Sequence, residues 1–211
     1  SHDIRNPIGV IQGYASILRE GELSETEMQD CVRRLESAAA TAMLLATNVL
    51  YAARLEGGAA RPRREPVQVA DVLDRALDGQ RLLVDNKRIR LAMDVGENLP
   101  AFEGDVNELE RVFANLLNNA IKFTPEGREI RVRAAAENGA IAVDFEDEGE
   151  GIPPGCEESI FDRFNESSNR RDSTGLGLYI SRSIVTAHGG RIHAENRPSG
   201  GARFVVRLPI G

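Results

Sequence analysis

Residues 115–123 read Asn-Leu-Leu-Asn-Asn-Ala-Ile-Lys-Phe, and the fold turns on how this stretch is read. At helical spacing Asn115, Asn119 and Lys122 stand at i, i+4 and i+7 and share one face. Leu109, Val112, Phe113, Leu116, Leu117, Ala120 and Ile121 fill the rest, which predicts a largely buried helix over 107–123. Asparagine is a poor helix former, and a buried amide must find hydrogen-bond partners. Two amides one turn apart, with a cation one turn further on, are placed to serve a polar object. A hydrated metal carrying phosphates fits that need. The plainer reading is a helix whose polar stripe meets water. Lysine usage bears on the choice, since only Lys87 and Lys122 are lysine and every other basic side chain is arginine. A compact ammonium on a flexible stem suits phosphate.

The chain has 211 residues, of which 41% are hydrophobic and 28% charged, an ordinary balance for a globular protein. A net charge of −7 argues against general nucleic-acid affinity. Cys31 and Cys156 lie far apart with no CxxC spacing, which points to a reducing, cytoplasmic compartment and no disulfide framework. The chain does not start with Met and carries no signal peptide, so it reads as a piece of a longer protein. Residues 37–53 are uncharged, but Ser37, Thr41, Thr47 and Asn48 interrupt them, and a helix buried in a bundle explains them better than a membrane span. Membrane attachment would have to come from segments upstream of this chain.

The fold class read from the pattern is α+β. Residues 1–56 form an antiparallel helical hairpin, 57–65 a linker, and 66–211 an α/β sandwich domain. In the first arm Ile4, Ile8, Ile11, Ala15 and Leu18 step by a heptad seam, which Gly21 breaks. Ser24 with Glu27 is a capping box that restarts a helix. Met28, Leu35, Ala42 and Val49 then repeat every seventh residue, with Cys31, Ala38, Leu45 and Ala52 as a second row, up to Gly57-Gly58. The second arm is longer than the first, which predicts a first helix continuing upstream of Ser1. Stripes this broad need more than one partner helix, so a four-helix bundle made by a homodimer is expected. After the linker the pattern gives a strand at 67–69, a helix over 72–85, and strands at 89–95 and 101–104. Past the 107–123 helix come strands at 129–136 and 140–147 joined by Asn138-Gly139, a helix over 177–188, and strands at 191–196 and 202–208 joined around Ser199-Gly200-Gly201. A mixed sheet with helices on one face follows.

Asp147-Glu148-Gly149-Glu150-Gly151 ends an apolar strand. A carboxylate there can accept from an exocyclic amine such as that of adenine, and Gly149 and Gly151 let the backbone pass close to a flat ligand. It could equally be an acidic turn. Gly175-Leu176-Gly177-Leu178 opens a helix whose N-terminal N–H groups attract anions such as phosphates. Residues 165–174 lack any apolar side chain and sit where a lid would, or form a surface loop. His2 falls off the heptad seam beside Asp3, and an imidazole held in one tautomer by a carboxylate leaves its other nitrogen nucleophilic. A lone histidine near a terminus can also be inert. His188 and His193 are read as structural.

Taken in order, these pieces resemble the two-component sensor histidine kinases over nearly the whole chain. The phosphoacceptor box is His2-Asp3-Ile4-Arg5-Asn6-Pro7, the asparagine box Asn115–Phe123 and the first glycine box Asp147–Gly151. Ile160-Phe161-Asp162-Arg163-Phe164 is the phenylalanine box and Gly175–Leu178, preceded by Thr174, the second glycine box. The resemblance implies a dimerisation hairpin and an ATP-binding domain of the type shared with gyrase and heat-shock chaperone ATPases. It implies that Asn119 coordinates Mg²⁺ with Asn115 in support, that Lys122 meets the phosphates, that Phe123 packs at adenine and that Asp147 accepts the adenine amine. Arg163 is implied at the γ-phosphate, and Gly149, Gly151, Thr174, Gly175, Leu176, Gly177 and Leu178 around the nucleotide. His2 would attack through Nε2 with Asp3 polarising its other nitrogen, in a reaction governed by positioning and charge neutralisation. The phosphoryl group would pass to an aspartate of a response-regulator receiver domain. An acid, two further residues and then Thr or Asn, here Asp3 and Asn6, implies a phosphatase activity with Asn6 orienting water. Departures from the family are Asp3 and Asn6 where Glu and Thr are common, Asp172 and Ser173 where a glycine often stands, and Arg170 and Arg171 in a short lid.

Two rivals remain open at this point. An ATP hydrolase of the same superfamily would place a glutamate at position 115 to activate water, which an amide cannot do. A non-catalytic dimeric scaffold would bind nucleotide without transferring phosphate.

Overall fold

The computed structural model describes residues 2–21, 23–56, 63–163 and 175–210. They form two compact units, 1–57 and 58–211.

In the first unit, α1 (His2–Glu20) and α2 (Glu25–Glu56) pack together as a hairpin. The capping box forms as its spacing predicts: the Ser24 N–H donates to Glu27 Oε2 at 2.9 Å and Ser24 Oγ donates to the same oxygen at 2.6 Å. Those bonds hold the exposed Glu27 carboxyl below the usual carboxylate range. Cys31 and Ala38 of the second heptad row are buried. The seam of α1 differs from the heptad expectation. Pro7 is buried and Ile11, Tyr14 and Leu18 half-buried, while Ile8 and Ala15 are exposed. A helix closing on one neighbour covers only a narrow stripe, and the Ile8 side falls outside it. The Arg34 guanidinium lies 5.7 Å above the Tyr14 ring. Among the described residues no helix is long and apolar enough to cross a membrane.

The second unit is built on a five-stranded mixed sheet, in the order β2-β4-β5-β7-β6. Its strands are β2 (Arg90–Val95), β4 (Glu129–Glu137), β5 (Ala140–Asp147), β6 (Arg191–Asn196) and β7 (Ala202–Pro209). β2 runs parallel to β4 and the other pairs are antiparallel. Asn138 and Gly139 both take positive φ, 50° and 76°, the conformation a tight hairpin demands. β1 (Glu65–Val67) and β3 (Phe102–Gly104) form a separate antiparallel pair.

The helices make one layer: α5 (Val106–Phe123) packs on β5, α3 (Val69–Asp78) on α5, and α6 (Gly177–Ala187) on α5, β6 and β7. Strand alternation sends Ile130, Val132, Ile141, Val143, Phe145, Val206 and Leu208 into the core beneath them. Phe113 of α5 meets Phe145 of β5 with ring centroids 5.6 Å apart. The opposite face of the sheet carries Arg131, Arg133, Asp144, Glu146 and Arg203, laced by ion pairs such as Arg203 to Asp144 at 2.6 Å.

Two sequence readings need correction. Val69 belongs to α3 rather than to the preceding strand, because Val69, Val72, Leu73 and Ala76 form one buried helical stripe. The helix expected over 72–85 is two pieces, α3 and α4 (Arg81–Asn86), broken at Gly79-Gln80, where glycine ends the first and only Val84 of the second is buried.

Candidate functional site

The site grows from α5, which is fixed at both ends. At its start Asp105 caps the helix, its Oδ1 accepting from the N–H groups of Asn107 and Glu108 at 3.1 and 3.2 Å. The Asp105 N–H donates to Nε2 of the buried His188 at 2.9 Å, and His188 Nδ1 donates to the Ile184 carbonyl at 2.8 Å. The carbonyl can only accept, so Nδ1 carries the proton and His188 is a neutral pin between α6 and the start of α5. At the far end Lys87 Nζ donates to the carbonyls of Ile121 and Lys122, at 2.6 and 2.8 Å.

Between those ends the apolar side of α5 is buried and Asn115, Asn119 and Lys122 are half-buried along one stripe. Asn115 Nδ2 donates to Ser181 Oγ on α6 at 3.0 Å. Its Oδ1 lies against Gly177, and any Cβ there would run into that oxygen. The first turn of α6 is thus keyed to the first asparagine. Asn119 makes no side-chain hydrogen bond to another described residue. The Lys122 ammonium lies 5.5 Å from the centroid of the Phe123 ring.

Asp147 ends β5 on the core side of the sheet and is buried. Its Oδ1 accepts from the N–H of Gly149 at 2.8 Å and of Ala202 at 3.1 Å. Its backbone carbonyl accepts from Arg197 at 2.6 Å. Burial lifts its carboxyl above the usual range, against those N–H bonds and the Arg197 charge. Both bonds fall on Oδ1, so among the described residues Oδ2 has no partner. Gly149 sits so tightly that a Cβ would lie 2.8 Å from Asp147 Oδ1 and from the Phe123 carbonyl, which ties the end of α5 to the glycine box. Gly151 takes φ +80° beside Asn196, whose side-chain amide clamps both the N–H and the carbonyl of Ile152, at 2.7 and 2.8 Å.

The remaining predicted residues fall as follows. Gly175 (φ 61°) and the buried Leu176 lead into α6, and Leu178 is half-buried in its first turn. Phe161 packs edge-on against Phe204 at 6.3 Å, while Arg163 is exposed. Thr174, Phe164 and the expected lid lie outside the described residues. His2, Asp3 and Asn6 occupy the first turns of α1; Asn6 is exposed, and the side chains of His2 and Asp3 lie outside the described residues. Among the described residues no cluster of three or more His, Cys, Asp or Glu could hold a metal. Ser181, Asn196 and the Ala202 N–H were not expected. Only the i, i+4 spacing of Gly177 and Ser181 hints at one of them in the sequence.

This arrangement defines a nucleotide-binding domain in which an amide-bearing helix faces a glycine-started one. Residues 104–211 match the family described as "Histidine kinase-, DNA gyrase B-, and HSP90-like ATPase", and residues 1–58 match "His Kinase A (phospho-acceptor) domain". The chain belongs to the two-component sensor histidine kinases and carries their ATP-binding catalytic core. It is 31% identical to the alginate biosynthesis sensor protein KinB of Pseudomonas aeruginosa, over 100% of this chain and 36% of KinB. It spans less than half the length of the curated relatives it matches. Its structure is similar to full-length ShkA in complex with AMPPNP (TM-score 0.73, 28% identity, 100% of this chain, 44% of ShkA). It is also similar to histidine kinase ThkA in complex with response regulator protein TrrA (TM-score 0.75, 25% identity, 100% of this chain, 59% of that one).

Proposed function

We propose that this chain transfers the γ-phosphoryl group of ATP to His2, passes it to an aspartate of a response-regulator receiver domain, and also dephosphorylates that partner. One observation carries the reading. Asn115 bonds Ser181 and abuts Gly177, so the asparagine box and the second glycine box are two walls of one polar site.

In that site Asp147 receives the adenine amine on Oδ2, Phe123 packs at the base, and Gly149 and Gly151 allow close approach. Lys122, Thr174 and the N-terminal turn from Gly175 to Leu178 meet the phosphates, with Arg163 at the γ-phosphate. Magnesium fits the donor set, because amide oxygens are hard ligands suited to an ion held mainly by phosphate and water. Asn119 would hold it and Asn115 would support it; when bound, it neutralises phosphate charge. The N–P bond forms at His2 Nε2 as the bond to the β-phosphate oxygen breaks and ADP leaves. Asp3 holds the proton on Nδ1. In the reverse duty Asn6 orients water toward the phosphorylated regulator.

The functional division follows the expected bounds, 1–56 for dimerisation and phosphotransfer, 57–65 as linker and 66–211 for nucleotide, except that Glu65 already belongs to β1. A homodimer is supported by Met43 and Leu50, which are 69% and 65% exposed on α2 of a single hairpin. The regulator partner is supported by the ThkA complex and the nucleotide by the ShkA complex.

Incubation with ATP labelled with ³²P at the γ position tests the reading. Acid-labile, base-stable label that disappears in His2→Gln is expected. Rapid ATP turnover with unlabelled histidine, or nucleotide binding with no label, would overturn it.

A further inference from the structure

Ser181 is 1% exposed and sits at the centre of a directed chain of hydrogen bonds. Its Oγ donates to the Gly177 carbonyl at 3.0 Å, the carbonyl one turn earlier in α6. That spends its only proton. Toward Asn115 the hydroxyl can therefore only accept, and it does, from Nδ2 at 3.0 Å. The polarity of the chain decides which end of the Asn115 amide is which. One Nδ2 hydrogen is donated to α6, and Oδ1 is turned toward Gly177 at the helix start.

We infer that Ser181 is a positioning residue for the nucleotide site: it locks the Asn115 amide with its oxygen presented at the start of α6. The inference rests on the nucleotide-binding reading above. Without the hydroxyl acceptor, no other hydrogen bond among the described residues fixes the amide against a half-turn that exchanges Oδ1 for Nδ2. A donor would then stand where a hard oxygen is wanted. Gly177 belongs to the same device, because its missing Cβ leaves the room that Oδ1 fills.

The test uses the whole chain and a built-in control. Ser183 lies two residues further on α6 and makes the same bond to a carbonyl one turn back, Oγ to Tyr179 at 2.8 Å, with no link to an asparagine. Binding of magnesium AMPPNP is measured by calorimetry for the wild type, Ser181→Ala, Ser183→Ala, Asn115→Ala and the Ser181→Ala/Asn115→Ala pair. In the nucleotide-free proteins the side-chain NH₂ resonances of Asn115 are followed by NMR. Loss of one oriented hydrogen bond is expected to weaken binding about three- to tenfold in Ser181→Ala. Ser183→Ala should bind as the wild type does. Ser181→Ala should add nothing in the Asn115→Ala background, and the Asn115 NH₂ signals should shift or broaden without nucleotide. Wild-type binding with Ser181→Ala unchanged, equal losses in Ser181→Ala and Ser183→Ala, additive losses in the double variant, or unmoved NH₂ signals would each overturn the inference. Failure of the wild type to bind would instead overturn the nucleotide reading beneath it.

Discussion

Lys87 donates from its ammonium to the backbone carbonyl of Lys122 at 2.8 Å. The two lysines of the chain thus meet at the end of one helix: one closes its last turn, and the other extends from that turn. A cation on the final carbonyls of a helix satisfies acceptors that have no partner within it. The same ammonium also binds the Ile121 carbonyl at 2.6 Å, so the contact is bidentate and part-buried.

Lys87→Met keeps the stem and removes the cap. We expect a loss of about 1–3 kcal/mol in the urea unfolding of the ATP-binding domain. Nucleotide affinity should fall as well, because Lys122 and Phe123 lose their fixed turn. Unchanged midpoint and affinity would show the cap to be idle.

Asp147→Asn separates stability from binding. Burial raises the native carboxyl above its unfolded value, so the native state holds the proton more tightly. Across the window between the two values the native state binds more protons, and stability falls as pH rises through it. Above that window the charge costs stability, and an isosteric amide, whose Oδ1 can accept the same two N–H bonds, should stabilise the nucleotide-free domain. The advantage should vanish once pH drops below the ordinary carboxylate range. ATP binding should move the other way, by about ten- to a hundredfold, since an NH₂ would face the adenine amine. Unfolding curves at neutral and acid pH, with calorimetry at neutral pH, check both arms.

Gly201→Ala should destabilise the domain by roughly 2 kcal/mol or more. The residue takes φ +86°, and an added Cβ would strike the Asp147 carbonyl. Thermal unfolding measures the loss. Gly200→Ala, also at positive φ (+91°) but facing open space, should cost less.

Asn6→Ala should slow dephosphorylation of the cognate regulator by about a hundredfold if the amide orients the attacking water. Asn6 is exposed one turn after His2, where a receiver domain can reach it. Release of phosphate from a pre-phosphorylated regulator is the readout, and an unchanged rate would remove the assignment.

Met43→Glu combined with Leu50→Glu should turn a dimer into monomers in light scattering, since both side chains stand open on a single hairpin. A wild type that stays monomeric with the upstream part of the first helix restored would refute the bundle.

Much of this architecture could be read from local signals. The capping box of Ser24 and Glu27, the Asn138-Gly139 turn and the polar stripe of Asn115, Asn119 and Lys122 each depend on residues within two turns of one another, and each stands in the structure as its spacing implies. Errors arose where tertiary packing overrides a local pattern. Val69 looks like the end of a strand until its burial with Val72 and Ala76 is seen. Ile8 looks like a seam residue until Pro7 is found nearer the partner helix. The hydrogen bonds that hold the site were invisible for another reason. Lys87 to Ile121, Asn115 to Ser181 and Asp147 to Ala202 span dozens of residues, and no short-range pattern encodes them.

The occupied and open oxygens of Asp147 have a consequence for purine selectivity. With Oδ1 taken by two amides, Oδ2 of the ionised carboxylate is left to receive a proton donor. Adenine brings an amino group to that edge and guanine a keto oxygen, which would set lone pair against negative charge. Given the proposed role of Asp147 at that edge of the base, this one side-chain atom would favour ATP over GTP.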